Sequence, residues 1–359
     1  MAIRLIHMGT VPPLRSQAVY HGVARAFHSQ SPNTILLVTP SAPYICIGFH
    51  QEVTKEVDVE FCRAHDLPIV RREVGGGAVY LDQDQLFTQW VFSPSSLPMR
   101  VDERFRLHAL PIIQTYKRLG IEAYFRPIND IQVAGRKIAG LGAARIGQAE
   151  VLVGNFMFDF NIDLMARILR VPDEKFRDKV YSGLRDYMTT MKKELNTLPQ
   201  REEVIRLYVE ECEKIFGERV EVGELTGAEE QAIADTERKF ATEEWLFSKG
   251  GYARPAVKIH GGVWVGETQV KTPGGLIRIT LRLRDHHIDD ILISGDFTFY
   301  PQEKIRQLEE TLRGVKANRS TLLRRIQKFY LEEAIQTPGV TIPDWVDAIA
   351  TLSEKIAQS

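Results

Sequence analysis

The stretch Arg71-Arg72-Glu73-Val74-Gly75-Gly76-Gly77-Ala78-Val79-Tyr80-Leu81-Asp82 decides the reading of this sequence, because it places three consecutive glycines between two β-type runs. A glycine in a regular element costs about 0.5–1 kcal/mol relative to alanine, so strand stability does not explain the triplet. We therefore expect another group to approach this backbone closely. Glycine amides beside Arg71 and Arg72 predict a phosphate or carboxylate site, with a β-bulge or tight turn flanked by surface arginines as the alternative.

The common nucleotide-binding signatures do not describe this stretch. The sequence contains no G-x-x-x-x-G-K-[ST] motif, and the glycine triplet is not a G-x-G-x-x-G that opens a helix. The mononucleotide-binding folds that carry those motifs are therefore disfavoured.

A second informative stretch runs from Asn129 to Arg145 and contains Gly135-Arg136-Lys137-Ile138-Ala139-Gly140. Lys137 has a glycine two residues before it and another three residues after it, where the backbone must turn tightly. Most lysines are solvated surface residues, and that is the alternative here. The glycine flanks and the β-type neighbours favour a functional lysine.

Composition excludes some classes of protein. The 359 residues include 46 Lys and Arg against 47 Asp and Glu, for a formal net charge of -1, so we expect no nucleic-acid partner. The length predicts about two domains. A stretch rich in glycine and glutamate near Gly217–Gly227 predicts a boundary, with one domain over 1–222 and another over 223–359.

The pattern of apolar residues predicts a mixed α+β fold. In the first domain, short β-type runs alternate with amphipathic helices, one of which has its apolar stripe at Val19, Val23 and Phe27. We expect mixed, mostly antiparallel sheets with packed helices, followed by a smaller α+β domain whose last helices, 319–335 and 344–357, form a tail.

The cysteines and the hydropathy indicate a soluble protein in a reducing compartment. Cys46, Cys62 and Cys212 are far apart and form no metal-binding or disulfide pattern. No apolar run approaches the ~18 residues of a membrane span. We expect a cytoplasmic protein without a membrane partner.

Taken together, the two stretches resemble the lipoate-protein ligases, whose catalytic fold is shared with the biotin-protein ligases. The resemblance rests on Arg71–Asp82, on Asn129-Asp130 and on Gly135–Gly140, in the order and at about the spacing of that family. It includes Gly48-Phe49-His50-Gln51 and extends weakly to Trp245 and Ser294–Phe297, which look like the accessory domain of the longer ligases.

This resemblance implies a two-step reaction. Lipoate and ATP would give lipoyl-adenylate and pyrophosphate, and a lysine of an acceptor protein would then attack the adenylate. Lys137 would be the catalytic residue and would bridge the carboxylate and the α-phosphate. The implied ATP-binding residues are Arg72, Gly77, Ala78, Val79, Tyr80 and Lys137. The implied lipoate-binding residues are Gly75, Gly76, Gly77, His50, Gln51, Lys137, Ala139, Gly142 and Ala143. Asp130 would hold Mg²⁺.

The sequence departs from the family at two places near the implied acyl site. The family commonly has a small hydroxyl residue before the glycine triplet, where this chain has Val74. Many members have His-Gly-Thr after the lysine loop, where this chain has Val153-Gly154-Asn155. These changes leave Arg72 and Lys137 in place and affect the expected acyl or acceptor preference, including the choice between lipoate and octanoate.

Two alternative functions remain open. One is an octanoyl or lipoyl transferase that works without ATP through a cysteine nucleophile, although Cys46 and Cys62 look like core residues. The other is a non-catalytic module that binds lipoate or a lipoylated partner. The expected acceptor is a lipoyl domain of a 2-oxoacid dehydrogenase, a glycine-cleavage carrier or a lipoate-binding protein. We expect a monomer, since both domains are fused in one chain.

Overall fold

A computed structural model describes residues 2–171, 177–249, 257–260 and 263–357. The strands are β1 (Ile3–Val11), β2 (Thr34–Pro40), β3 (Tyr44–Ile47), β4 (Ile69–Arg71), β5 (Val79–Leu81), β6 (Gln85–Phe92), β7 (Tyr124–Arg126), β8 (Asp130–Val133), β9 (Arg136–Gly140), β10 (Gly142–Ile146), β11 (Ala149–Met157), β12 (Val220–Val222), β13 (Val257–His260), β14 (Val263–Thr272), β15 (Gly275–Arg284) and β16 (His287–Gly295). The helices are α1 (Pro13–Ala26), α2 (Val53–Glu56), α3 (Val59–Ala64), α4 (Val101–Arg118), α5 (Ile162–Ile168), α6 (Arg177–Tyr187), α7 (Met191–Glu194), α8 (Arg201–Phe216), α9 (Gly227–Phe240), α10 (Glu243–Leu246), α11 (Lys304–Leu312), α12 (Arg319–Glu332) and α13 (Ile342–Ala357).

The largest sheet of the described residues has the strand order β10-β11-β6-β2-β1-β12. β1 runs parallel to β2 and β12, whereas the remaining pairs are antiparallel. Helix α1 packs on one face through Val19 and Val23, as the apolar spacing predicts, and α4 and α8 cover the other face. Because both faces are covered, the whole of β6 is buried, with Phe87 in one core and Trp90 in the other.

Two three-stranded sheets carry the sequence motifs. Their strand orders are β4-β3-β5 and β7-β8-β9. The glycine triplet connects β4 to β5, and Lys137 lies in β9. Only Leu141 separates β9 from β10, so the hairpin that carries the lysine extends from the edge strand of the large sheet.

The C-terminal part contains an antiparallel sheet with the order β13-β14-β15-β16. Helices α11 and α13 pack on this sheet, and α12 packs against both helices. Trp345 of α13 is fully buried against the same core as Ile279 and Leu281 of β15. The two helices that the sequence predicts as a tail are therefore part of this domain's core. The predicted mixed α+β class is confirmed, and none of the described helices is long and apolar enough to cross a lipid bilayer.

Residues 220–246 pack on the first part of the chain. β12 pairs with β1, and α9 crosses α1 so closely that a Cβ on Gly22 would lie 2.5 Å from the backbone nitrogen of Ile233. Trp245 of α10 donates a hydrogen bond to the carbonyl oxygen of Arg71 at 2.9 Å. The boundary between 222 and 223 stays a prediction. Helices α9 and α10 follow this boundary in the sequence, but the contacts just described join them to residues that precede it.

Buried polar contacts hold the C-terminal sheet domain against the first part. Glu150 of β11 pairs with Arg104 at 2.6 Å and accepts a hydrogen bond from the hydroxyl of Tyr300. Ser294 of β16 donates a hydrogen bond to Glu52 at 2.6 Å. Because β16 ends beside the glycine triplet, the C-terminal domain contributes to the surroundings of that loop.

Candidate active site

The glycine triplet is approached closely by other backbone segments of the protein. A Cβ on Gly48 would lie 1.9 Å from the carbonyl oxygen of Gly76, and a Cβ on Gly75 would lie 3.0 Å from the carbonyl oxygen of Phe297. Gly76 has φ +92°, a conformation that glycine adopts without steric cost. The close approach to the triplet that the sequence predicts is therefore made partly by other segments of this protein. The triplet also has an open face.

The two arginines before the triplet bind the loop from within the fold. Arg71 is fully buried and donates hydrogen bonds to the carbonyl oxygens of Gly48, Phe49 and Leu246. Arg72 donates to the carbonyl oxygens of Gly75 and Gly77, both at 2.9 Å. Arg71 is thus a structural anchor, whereas Arg72 fixes the loop and also borders the cavity described below.

The hairpin that carries Lys137 explains its glycine flanks. Ala134 and Gly135 have φ of +48° and +80°, which is the backbone of a two-residue turn of type I′ between β8 and β9. A Cβ on Gly140 would lie 3.0 Å from Lys137 Nζ, so the glycine leaves room for the amine. Gly142 similarly leaves room for Val74, whose Cγ1 would be 2.5 Å from a Cβ there.

An acid and a tyrosine hold the amine of Lys137. Lys137 Nζ lies 2.8 Å from Asp130 Oδ1, and the hydroxyl of Tyr187 donates a hydrogen bond to Asp130 Oδ2 at 2.6 Å. Burial, followed by the hydrogen bond to Asp130, raises the pKa of Tyr187 to about 12, so the hydroxyl stays protonated at neutral pH. Tyr187 is absent from the sequence prediction, because no local pattern links it to a residue 57 positions away.

A cavity of about 480 Å³ joins the glycine triplet to the lysine hairpin. Predicted site residues that line it are Arg72, Gly75, Gly76, Gly77, Ala78, Val79, Tyr80, Lys137 and Gly142. The apolar part of the lining includes Val74, Leu81, Phe87, Leu141, Val153, Met157, Phe160, Met165, Leu184 and Met188. Tyr187 and Asp296 also line it, and Asp296 belongs to the C-terminal domain.

Other predicted residues lie outside the cavity lining. His50 is buried and stacks on Phe297 of the C-terminal domain, and burial lowers its pKa well below the usual value. Gln51 accepts a hydrogen bond from the backbone amide of Gly48 at 2.9 Å. Ala139 and Ala143 are buried in the core beneath the large sheet. These four residues lie outside the cavity lining, and the lipoate contacts expected of them stay a prediction.

Buried amides form a polar part of the cavity that no sequence motif indicates. Gln85 and Gln89 lie on the same face of β6 and line the cavity. Neither side-chain polar atom of Gln85 has a hydrogen-bond partner. Gln89 donates to the carbonyl oxygen of Ser16 at 2.9 Å, while its Oε1 has no partner. Since an unpaired buried polar group costs about 1–3 kcal/mol, these atoms point to a polar ligand or bound water. Residues 85–89 read Gln-Leu-Phe-Thr-Gln, which does not alternate polar and apolar residues, so no local pattern marks the two amides as cavity residues.

The described cysteines are buried, as the sequence predicts for Cys46 and Cys62. Cys46 also borders the cavity, with Sγ 3.5 Å from Arg72 Nη1, and burial raises the pKa of its thiol. Burial raises the pKa of Cys62 to about 11. A raised pKa disfavours the thiolate, which is the nucleophilic form.

Asp130 does not belong to a protein-built metal site in the described part of the chain. No group of three or more His, Cys, Asp or Glu residues there is arranged to hold a metal ion. Both oxygens of Asp130 are already engaged, one by Lys137 and the other by Tyr187. The Mg²⁺ role of this residue stays a prediction.

Known proteins are similar to this chain in both sequence and fold. Octanoyltransferase LipM of Kyrpidia tusciae is 26% identical over 271 residues, covering 68% of this chain and 98% of the relative. Lipoate–protein ligase 2 of Staphylococcus aureus is 23% identical over 323 residues, covering 86% of this chain and 88% of the relative. The relatives thus include both ligases and octanoyltransferases.

Solved structures show the same architecture. The bipartite lipoate protein ligase of Thermoplasma acidophilum, described with its E2 lipoyl domain, has a TM-score of 0.63 at 25% identity and covers 68% of this chain and 96% of its own. A lipoate-protein ligase A bound with ATP has a TM-score of 0.60 at 21% identity, covering 69% of this chain and 99% of its own. LipL1 of P. falciparum in complex with lipoate has a TM-score of 0.69 at 14% identity and covers 99% of this chain and 100% of its own.

Two family profiles match the chain. A profile for the bacterial lipoate protein ligase C-terminus matches residues 267–349. A profile for the lipoyl protein ligase A/B catalytic domain matches residues 12–213, which is more than half of the 359 residues and includes both the glycine triplet and Lys137. The resemblance found in the sequence is confirmed, and the chain belongs to the lipoyl protein ligase A/B catalytic domain family.

Proposed function

We propose that this protein is an ATP-dependent lipoate–protein ligase, which activates lipoate or octanoate as an acyl-adenylate and transfers the acyl group to a lysine of a lipoyl carrier domain. The observation that carries the proposal is the shared cavity of Lys137 and the glycine triplet. Adenylate formation brings a carboxylate to a triphosphate, so it needs one cation between two anions and backbone donors around them. Lys137 supplies the cation, and the glycine triplet supplies the backbone donors.

The first step joins the acyl carboxylate to the α-phosphate and releases pyrophosphate. Lys137 would neutralise the charge that develops between the two groups, and Arg72 with the amides of Gly77–Tyr80 would bind the phosphates. Arg72 donates hydrogen bonds to carbonyl oxygens of the loop, so the same guanidinium would tie the loop geometry to phosphate binding. Mg²⁺ would accompany the nucleotide, because this ion is usually bound through substrate phosphates.

The second step transfers the acyl group. The ε-amine of the acceptor lysine attacks the acyl carbon, the bond from that carbon to the phosphate oxygen breaks, AMP leaves and the amine loses a proton. Lys137 would again stabilise the leaving phosphate. The apolar lining at Val74, Val79 and Phe87 suits the acyl chain, and it accommodates either lipoate or octanoate. Val74 fills the position where the family commonly has a hydroxyl, so the contact there is apolar.

A lipoyl domain is the acceptor that the relatives favour, since the Thermoplasma structure was described with its E2 lipoyl domain. A glycine-cleavage carrier and a specialised lipoate-binding protein present an acceptor lysine of the same chemistry. Modification of purified carriers of these three kinds, followed by intact-mass measurement, identifies the acceptor.

The competing function is acyl transfer without ATP through a cysteine. The octanoyltransferase relatives and the position of Cys46 at the cavity favour it. The buried thiol of Cys46, with its raised pKa, argues against it. Cys46→Ala separates the two: the ligase keeps adenylation in this variant, whereas a cysteine transferase loses transfer and forms no acyl-enzyme.

Lipoate-dependent exchange between ATP and pyrophosphate tests the proposal without an acceptor. We expect exchange in the wild type, loss of at least about 100-fold in Lys137→Ala, which corresponds to ~2.7 kcal/mol, and no change in Lys192→Ala. Lys192 is an exposed lysine that pairs with Asp159, so it controls for loss of a surface charge.

Two results would contradict the ligase. Absence of exchange in the wild type, together with an acyl-enzyme on a cysteine, would establish the transferase. Tight lipoate binding with neither exchange nor transfer would establish the non-catalytic module.

A further inference from the structure

We infer that Tyr187 is a positioning residue for Lys137, acting through Asp130. The inference rests on the proposed function and adds a residue and a role to it. Tyr187 is the last residue of α6, whereas Lys137 and Asp130 lie on the β8-β9 hairpin. The three side chains form one chain of contacts from the helix to the amine.

The contacts use both oxygens of one carboxylate. Oδ1 of Asp130 faces Lys137 Nζ at 2.8 Å, and Oδ2 accepts the hydroxyl hydrogen of Tyr187 at 2.6 Å. A hydrogen bond from a hydroxyl to a carboxylate is charge-assisted and directional. The hydroxyl therefore fixes the rotation of the carboxylate, and this rotation determines where the lysine amine sits beside Gly140.

The backbone after Tyr187 holds the same strand. The amide of Thr189 donates a hydrogen bond to the carbonyl oxygen of Lys137 at 2.9 Å, and Met188 forms a bridge with Lys137. The pairing of β8 with β9 shifts register between Ile131 and Gln132. A bulge of this kind changes the direction in which side chains point. Here it lies next to Asp130, whose side chain reaches Lys137 diagonally across the two strands. The main chain and the side chain of Lys137 are thus both held by residues 187–189.

Tyr187 is not required for the core. Its side chain is 39% exposed, and it lines the cavity. Removing its hydroxyl creates no buried void, so Tyr187→Phe is expected to fold and melt like the wild type. Tyr181 lies on the same helix outside the cavity lining, so Tyr181→Phe is the matched control.

The kinetic test is a double-mutant cycle in the exchange assay. We expect Tyr187→Phe to lower kcat by about tenfold and to change KM for ATP and for lipoate by no more than about twofold. A tenfold loss is at the low end for a hydrogen bond to a charged group, because the site is partly exposed. In the Asp130→Asn background the same substitution should have no further effect, because Tyr187 acts through Asp130. A purely structural role would lower kcat by the same factor in both backgrounds.

A second readout does not depend on activity. Trace acetylation with acetic anhydride, quantified by mass spectrometry, reports the reactivity of the Lys137 amine. We expect faster labelling of Lys137 in Tyr187→Phe than in the wild type or Tyr181→Phe, because the carboxylate that holds the ammonium becomes free to rotate. Unchanged labelling would overturn the inference, as would equal loss of kcat in Tyr181→Phe. If the wild type catalyses no exchange, the proposed function fails, and the labelling still decides the role of Tyr187.

Discussion

Replacing Gln85 with methionine should stabilise the empty protein and weaken ligand binding. Gln85 is fully buried on β6, where its backbone pairs with Met157, and both polar atoms of its side chain lack a partner. Methionine has nearly the same length and is flexible enough to fill the same space. The substitution therefore removes an unpaired amide without opening a cavity.

The expected gain follows from that unpaired amide. An unsatisfied buried polar group costs about 1–3 kcal/mol, and we expect Gln85→Met to recover about 1–2 kcal/mol in the free energy of unfolding. For a domain of 150–250 residues this corresponds to a rise in Tm of roughly 2–8 °C. In contrast, a ligand that hydrogen-bonds the amide loses about 0.5–1.5 kcal/mol in the variant, so its Kd should rise about 2- to 10-fold.

Thermal melts with and without ligands measure both effects. The wild type, Gln85→Met and Gln83→Met are compared alone, with lipoate, with MgATP and with both. Gln83 is exposed in the turn before β6 and controls for the chemistry of the substitution. Ligand stabilises the folded state by RT ln(1 + [L]/Kd), so the ligand whose stabilising shift shrinks in Gln85→Met is the one that contacts the amide.

One outcome would refute this reasoning. If the empty Gln85→Met protein melts several degrees below the wild type and binds both ligands normally, the amide of Gln85 is satisfied inside the fold. Gln85 would then be a structural residue, and the polar part of the cavity would reduce to Gln89.

Two further substitutions test the loop and the core. Gly48→Ala should lose about 1–3 kcal/mol or more of stability together with exchange activity, because its Cβ would lie 1.9 Å from the carbonyl oxygen of Gly76. Gly183→Ala on α6 has nothing within 4 Å and should gain up to about 1 kcal/mol; equal melts for the two variants would contradict the packing. Burial lowers the pKa of His108 to about 3, so the unfolded chain binds a proton below its usual pKa of about 6.5 while the folded protein does not. Its contribution to stability is therefore lost as pH falls from about 6.5 toward 3, by about 1.4 kcal/mol per pH unit, and His108→Gln should flatten the slope measured by urea unfolding between pH 4.5 and 6.5. Burial also lowers the pKa values of His21 and His50, which steepen the slope in the same direction, so an unchanged slope would show that His108 is not among the groups responsible.

The local features of the site were predictable from short stretches of sequence. Gly48, Gly76 and Gly140 lie where another group comes too close to the backbone to leave room for a Cβ atom. Each of these close approaches involves a turn or a neighbouring strand. The glycine flanks of Lys137 predicted a tight turn, and a type I′ hairpin is present. The four-residue apolar spacing of α1 predicted the face that packs on the large sheet.

Some residues predicted for the site lie away from the cavity lining. His50 and Gln51 lie two and three residues after Gly48, but they pack into the interface and the loop and do not line the cavity. Ala139 and Ala143 flank the cavity-lining segment 140–142 but are buried in the core. In a strand, successive side chains point to opposite faces, so a one-residue difference separates a ligand contact from a core residue.

By itself, the sequence determined the chemical groups of this protein: a glycine triplet, two arginines and a lysine between glycines, because conformational freedom and charge belong to individual residues and short turns. Only the tertiary structure decided which distant groups share the site. Tyr187 reaches Asp130 across 57 residues, Gln85 faces the cavity unpaired, and Asp296 arrives from another domain. Such contacts depend on the packing of complete sheets and helices, and no local periodicity encodes them.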